Sequence, residues 1–307
     1  MNNKIAFIFP GQGSQSVGMG KDLYNNFDIA KNFYDQADDF FDFSLSSISF
    51  NGPENNLKET KYTQPAIFVN SCIISNILQS EGIKASAVCG HSLGELSALY
   101  SAKSISFIDG LKIVKERSEA MHLAGKNNPG RMAAFIGLNE TRIKELFLQN
   151  DIVVIANINS ADQLVISGSI EGINNTIKKA QDEGIKKIFP LNVSGAFHSP
   201  LMNEAKDHLK NILSKIKFHD TTIPVYQNIN AKPEFSGKQL KTNFLNQIVS
   251  PVKWLNTIEK LIFNDINTFL ELGPGNVLQR LNRRINKNSV NFGVSNFKEI
   301  NKIINEF

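Results

Sequence analysis

The feature that most constrains the fold is a serine framed by glycines, Gly90-His91-Ser92-Leu93-Gly94. Before it, residues 83–89 (IKASAVC) read as a short buried strand. After it, ELSALYSAK (95–103) is helical in composition. As a bare pattern, G-x-S-x-G is an ordinary turn. Between a strand and a helix it is a sharp elbow: the glycines permit the tight backbone, the serine hydroxyl stands exposed, and the helix N-terminus offers free N–H groups to a developing oxyanion. Ser92 is therefore the candidate nucleophile, set against the plainer reading of a chance turn.

A strand that feeds an elbow and then a helix belongs to an α/β architecture, and much of the chain repeats that alternation. Residues 4–10 (KIAFIFP) read as a buried strand ending in a Gly-rich turn, and 64–81 as a helix. Ser106 and Asp109 form a capping box for a helix expected to run to about Ala124, with Gly125 placed to stop it. The segment 126–131 (KNNPGR) has linker composition. Then comes a compact series: strand 132–136, helix 141–149, strands 153–157 and 163–167, helix 170–183 with Ile173, Ile177 and Ala180 on one face, and strand 187–193. The order β-α-β-β-α-β is ferredoxin-like. Beyond it the α/β alternation resumes with helix 199–213, IPVYQNI as a strand, WLNTIEKLIF as a helix and NTFLELGPG as a strand with a sharp turn. The expected organisation is a discontinuous parallel-sheet domain, 1–127 and 196–307, carrying an inserted ferredoxin-like α+β subdomain, 128–195. A chain of 307 residues with 41% apolar content can fill such cores.

A serine nucleophile needs a base, and five histidines are available. His91 lies inside the elbow, so its side chain should point elsewhere. His122, His208 and His219 fall on predicted helices or their ends, where solvation is the ordinary reading. His198, in SGAFHSPL, sits where the insert returns to the main domain, and such junctions line clefts. Position alone leaves His198 open between a base and an ordinary junction residue.

Other chemistries fit less well. After Phe9-Pro10-Gly11-Gln12-Gly13-Ser14-Gln15 neither the Walker A pattern nor the dinucleotide fingerprint is completed. A Gly-x-Gly turn beside a nucleophile can instead lend an N–H to an oxyanion hole. Cys72 and Cys89 lack partners at metal-ligand spacing and read as small buried hydrophobes, so no metal and no cofactor are expected. The net charge of +4 suits anionic partners, yet no basic block interleaved with aromatics points to nucleic acid, and RLNRRINK reads as a solvated helix face. No run approaches the ~20 apolar residues of a membrane span, and the start lacks the features of a secretory signal, so a soluble cytoplasmic protein is expected.

The motifs also occur in a telling order: FPGQGSQ, TQPA at 63–66, GHSLGE at 90–95, Arg117, GAFHSPLM at 195–202, QIVSPVKW at 247–254 and ELGPGNVL at 271–278. Together they resemble the malonyl-CoA:acyl-carrier-protein transacylases of bacterial type II fatty acid synthesis, across essentially the whole chain. The resemblance implies an α/β-hydrolase-like domain with a ferredoxin-like insert, and malonyl-CoA and acyl carrier protein as partners. It implies Ser92 as the acylated nucleophile and His198 as its general base and acid. Arg117 would grip the malonyl carboxylate, although on sequence alone a solvated surface arginine is the better reading. Gln12 and Leu93 would supply oxyanion-hole N–H groups, and the main-chain carbonyl of Gln247 would orient the histidine. Gln64, Met121, Asn159 and Phe197 would line the pocket. Two alternatives share parts of this pattern: a serine acyl hydrolase or thioesterase, which has no need of Arg117, and a non-catalytic acyl-binding module, which has no need of a Ser-His pair.

Overall fold

The computed structural model describes residues 4–307. Among these residues, ten strands sort into two sheets. β1 (Ile5–Phe9), β2 (Ala87–Gly90), β7 (Val225–Tyr226), β8 (Pro233–Glu234), β9 (Thr268–Leu272) and β10 (Val290–Val294) form one, in the order β10-β9-β1-β2-β7-β8. Its pairings are parallel except for β8 against β7. β3 (Gly130–Ile136), β4 (Val153–Ser160), β5 (Gln163–Ser169) and β6 (Ile188–Pro190) form the second, in the order β4-β5-β3-β6, all antiparallel. Read within that segment the order is 2-3-1-4, with helix Ile170–Asp182 against the sheet, which is the ferredoxin-like arrangement.

The parallel sheet is buried on both faces, and the sequence of β1 shows why it can be. Every residue of IAFIF is buried. Alternate side chains of a strand point to opposite faces. Ile5, Phe7 and Phe9 join the core under helices Thr60–Ser80 and Phe107–Asn127, while Ala6 and Ile8 join a second core with Trp254, Ile258 and Leu261 of helix Trp254–Phe263. A continuous apolar run is what a two-faced strand requires. The antiparallel sheet buries one face, around Phe135, Ile155, Ile166 and Ile173. Of the predicted helix face, Ile173 and Ala180 are fully buried and Ile177 packs beside them.

Several boundaries differ from expectation. The Phe107–Asn127 helix does not stop at Gly125; the Ser106 hydroxyl caps its start by accepting from the Asp109 N–H at 3.1 Å, as expected. Gly125 serves close approach instead, because a Cβ there would collide with the Ser194 carbonyl oxygen. The helix expected over 141–149 is a single turn, Glu140–Lys144, and the strand expected over 187–193 is regular only at Ile188–Pro190, with one backbone bond beyond it at each end, at Lys187 and Leu191. The sequence reading places no element at β8, at β10 or over the helices between Lys21 and Leu57, although helix Asp28–Phe40 carries a helical period, with Ala30, Phe33, Tyr34 and Ala37 buried along one face.

Two contacts bring the sheets to a common edge. Ile158 N–H donates to the Val252 carbonyl at 2.9 Å, and Val252 N–H to the Ala156 carbonyl at 2.8 Å, so β4 is fastened to the segment just after Gln247. The Phe107–Asn127 helix leads directly into β3.

Candidate active site

Ser92 sits where β2 ends and helix Gly94–Ser101 begins, with φ at 53°. For a non-glycine residue that left-handed conformation costs ~1–3 kcal/mol and persists only when its surroundings over-determine it. Here the surroundings do so. A Cβ on Gly90 would collide with the Gly94 carbonyl group, and one on Gly94 with the Phe9 carbonyl oxygen. The two glycines of the motif are thus what allow the helix start to press against both strands. Ser92 N–H donates to Asn228 Oδ1 at 2.8 Å, Asn228 Nδ2 donates to the Gly90 carbonyl at 2.6 Å, and Gln247 Nε2 donates to the Ser92 carbonyl at 2.9 Å.

His198 also has positive φ, 59°, and is 4% exposed. Its Nε2 lies 2.8 Å from Ser92 Oγ, and its Nδ1 lies 3.0 Å from the Gln247 carbonyl oxygen and 3.2 Å from that of Ser250. Two carbonyls on Nδ1 can only accept, so they fix the tautomer with the proton on Nδ1 and leave Nε2 free to accept from the serine hydroxyl. No carboxylate takes part in this contact. Burial, with the positive charge of Arg117 adding to it, drives the imidazole pKa down to about 3. The ring is neutral at any working pH.

Arg117 is not the solvated residue its sequence surroundings suggest. It is 1% exposed, on the inward face of the Phe107–Asn127 helix. One terminal nitrogen, Nη1, donates to Gln64 Oε1 at 2.6 Å; the other, Nη2, donates to Gln247 Oε1 at 3.1 Å and to Ser92 Oγ at 3.2 Å. All three acceptors are neutral. Burial lowers the guanidinium pKa to about 10, so it keeps its charge at neutral pH. Gln64 is oriented in turn by its Nε2 donating to Met121 Sδ at 3.6 Å.

Under the elbow lies a group that sequence reasoning missed. Glu95 is fully buried and accepts from Asn228 N–H at 2.7 Å and from Gln227 Nε2 at 3.1 Å. Gln227 is held by Asn243, whose Nδ2 donates to it at 2.8 Å. Burial pushes the Glu95 carboxyl up to about 7, against the opposing pull of these donors and of Arg117. The sequence did carry a signal: an acid in the first turn of an otherwise apolar helix, with Leu99 instead of a base one turn on.

A cavity opens above Ser92. Of the anticipated residues, Gln12, Gln64, Leu93, Arg117, Met121, Phe197 and His198 line it. Asn159 and Gln247 do not. Asn159 lies behind the wall, with its Oδ1 3.0 Å from His91 Nε2. His91 is among the residues lining the cavity, while its ring turns to Asn159 and lies 5.8 Å, centroid to centroid, from the Trp254 ring. Gln247 acts from beneath, and its carbonyl stands where the resemblance implied. Among the described residues no intramolecular hydrogen bond occupies the main-chain N–H of Gln12 or Leu93. Leu93 is the first residue before its helix, where such N–H groups are free by construction. The antiparallel sheet and its connections supply Met132, Asn157, Leu191 and Val193 to the far wall. Cys72 and Cys89 are fully buried, as expected. No helix among the described residues is long and apolar enough to cross a membrane.

This geometry has counterparts. Residues 6–300 match the acyl transferase domain family. The malonyl CoA-acyl carrier protein transacylase of Bacillus subtilis is 38% identical over 297 residues, covering 95% of this chain and 94% of the relative. The crystal structure of the malonyl-CoA:ACP transacylase of Synechocystis sp. superposes with a TM-score of 0.91 at 36% identity, covering 97% of this chain and 99% of that one. A malonyl-transacylase solved in complex with its type II PKS acyl-carrier protein superposes with a TM-score of 0.95 at 33% identity, covering 99% of this chain and all (100%) of that one.

Proposed function

The chain belongs to the acyl transferase domain family, and from that premise we propose that it moves a malonyl group from malonyl-CoA to the phosphopantetheine thiol of acyl carrier protein through a malonyl ester on Ser92. The observation that carries the reading is the meeting of three groups at one atom: Ser92 Oγ lies 2.8 Å from His198 Nε2 and 3.2 Å from an Arg117 nitrogen. A nucleophile, a base and a carboxylate receptor are then one acyl length apart.

In the first half-reaction Ser92 Oγ attacks the thioester carbonyl while its proton passes to His198 Nε2. The main-chain N–H groups of Leu93 and Gln12 face the oxyanion. The tetrahedral intermediate expels the coenzyme A thiolate, which takes the proton from His198. In the second half the carrier-protein thiol gives its proton to His198 and attacks the ester, and Ser92 Oγ leaves and recovers the proton. Arg117 can hold the malonyl carboxylate through parallel N–H groups, which a lysine cannot do. Gln64, Met121 and Phe197 shape the wall around the acyl group, and Asn159 acts one step back by holding His91.

The domain division follows the same reading: residues 1–127 and 196–307 as the catalytic unit and 128–195 as an insert forming the far wall, the first three residues of that division lying outside those described. A role in fatty acid synthesis fits a cytoplasmic enzyme. A serine hydrolase would need neither Arg117 nor a carrier protein. Intact-mass measurement after mixing with malonyl-CoA tests the reading. A malonyl adduct that localises to Ser92 and disappears on adding holo acyl carrier protein, with malonyl-carrier protein formed, is expected. Consumption of malonyl-CoA by water without an acceptor would instead make the protein a hydrolase.

A further inference from the structure

We propose that the carboxylate of the bound acyl group strengthens His198 as a base by occupying Arg117, so that malonyl-Ser92 enters the second half-reaction with a more basic histidine than acetyl-Ser92 does. The inference rests on the reading of Ser92 as the acyl carrier and gives Arg117 a second task besides binding.

The geometry makes the two cationic sites neighbours through a single oxygen. Ser92 Oγ contacts His198 Nε2 on one side and Arg117 Nη2 on the other. An imidazolium formed at His198 would therefore stand next to a guanidinium, in a site where both side chains are almost wholly buried. Like charges so placed disfavour protonation of the weaker base. The neighbours do little to offset this. Gln64, Gln247 and Ser92 give Arg117 neutral acceptors only. Gln247 and Ser250 present carbonyls to His198. Burial lowers the pKa of His91, from the elbow, and its ring is engaged with Asn159. The antiparallel sheet and the strand leading back from it add Met132, Asn157, Leu191 and Val193, all uncharged. Glu95 acts on Arg117 through space only, because its hydrogen bonds go to Gln227 and Asn228 and none to Arg117.

A malonyl ester on Ser92 changes this balance. Its carboxylate lies two carbons beyond the ester oxygen, within reach of a guanidinium that touches that oxygen in the free protein. Once paired, Arg117 no longer repels a proton on His198. Burial continues to hold the imidazole below its ordinary value, but the contribution of the neighbouring charge is removed. The acceptor in the second half is a thiol, with an ordinary pKa of about 8.5, and a very weak base takes its proton poorly. An acetyl ester leaves Arg117 unpaired and His198 weak. Selectivity for malonyl is then exercised twice: once when the thioester binds, and again when the ester is passed on.

The test is the titration of His198 in protein labelled with ¹³C-histidine, followed by NMR in three states: free, acetylated and malonylated on Ser92. The His198 resonance is identified by its loss in His198→Ala. The malonylated protein is expected to titrate at least about one pH unit above the acetylated one, a tenfold gain in proton affinity. Free Arg117→Ala should titrate above free wild type, and Arg117→Lys, which keeps the charge, should stay low. Equal midpoints in the two acyl forms would overturn the proposal. If intact mass shows no adduct on Ser92, the assigned function fails instead. The comparison of free wild type with free Arg117→Ala and Arg117→Lys still decides whether the charge coupling exists.

Discussion

The two sheets meet the same cavity with opposite chemistry. The parallel sheet and its helices bring every group that can exchange a proton or hold a charge there: Ser92 at the end of β2, Arg117 on a helix packed under β1, and His198 and Gln247 from segments that return to the same frame. These groups are cross-braced. Gln247 alone contacts Ser92, His198 and Arg117, by its amide nitrogen, its carbonyl and its amide oxygen. The antiparallel sheet and its return segment bring a wall of Met132, Asn157, Leu191 and Val193, and one buttress, Asn159 behind His91. Positional precision follows from bracing, and a wall needs none of it. Substitutions in the braced frame should therefore change chemistry, and those in the wall should change only occupancy.

The sharpest break in that comparison is Ser92→Ala. Loss of a serine nucleophile costs several orders of magnitude in comparable systems, and here transfer should fall by at least about a thousandfold. The backbone of the elbow is held by Asn228 and Gln247, not by the hydroxyl, so the unfolding midpoint should move little. A Ser92→Ala protein that still accumulates a malonyl adduct would take the nucleophile out of the frame altogether.

Arg117→Ala comes next. Breaking a desolvated carboxylate–guanidinium pair costs roughly 3–5 kcal/mol, which is on the order of a hundredfold or more in malonyl transfer. Acetyl transfer has no carboxylate to lose and should hold or rise. The ratio of kcat/KM for the two thioesters, in wild type and variant, measures this. A shift of less than about tenfold would mean that the carboxylate is read elsewhere, and the wall would become the first place to look.

Legibility in the sequence divides along the same line. Ser92 could be read because a strand, a glycine-framed turn and a helix are local patterns. The ferredoxin-like order and the apolar face of Ile173, Ile177 and Ala180 could be read for the same reason. Arg117 could not be read from its surroundings, because KIVKERSEAM is a plausible solvated stretch and the partners that bury the guanidinium, Gln64 and Gln247, lie 53 and 130 residues away. Only the ordered motif set pointed to it. Asn228 is not legible because it acts through main-chain groups distant in sequence, which no spacing rule reports, and the partners of Glu95 lie more than 130 residues away, so its place in a helix poor in charge shows only that it is unpaired locally. Gly125 was misread because a helix-stopping glycine and a glycine needed for close approach look alike in one dimension. His198 could be placed at a cleft, but its depressed pKa follows from burial beside Arg117, a three-dimensional fact. An acid limb near the ordinary histidine value is therefore not expected for acylation of the free enzyme.

The brace beneath the elbow can be probed through pH. Glu95 has its carboxyl pKa raised from an ordinary 4.5 to about 7. The native form then binds a proton more tightly than the unfolded chain. Its contribution to stability is full below about pH 4.5 and is lost as pH rises through about 7. The difference amounts to roughly 3 kcal/mol across that window. Glu95→Gln stays neutral throughout and keeps an acceptor for the Asn228 N–H. Urea unfolding of both proteins at pH 5 and pH 8 should show wild type losing about that amount relative to the variant. A constant difference between the two would mean that Glu95 is ionised at both pH values, with Arg117 and the amides carrying more of its charge than burial removes.

The smallest effect belongs to the wall. Leu191 is 36% exposed and lines the cavity, and its N–H bonds the Met132 carbonyl at 2.9 Å. Truncation to Ala leaves that backbone bond intact and removes apolar surface that solvent already partly reaches. Full burial of a leucine is worth about 1.5–3 kcal/mol, so a partly exposed one facing a ligand should contribute about 1 kcal/mol. Because the wall touches ground state and transition state alike, the loss is uniform binding: KM for malonyl-CoA should rise about fivefold with kcat unchanged. The ratio of malonyl to acetyl transfer should not move, since Leu191 offers nothing to a carboxylate. Steady-state kinetics of Leu191→Ala with both thioesters reads all three quantities. A fall in kcat with KM unchanged would overturn the division drawn here, because it would mean that the antiparallel sheet helps set the position of His198 or Ser92 during the reaction and does not merely face them.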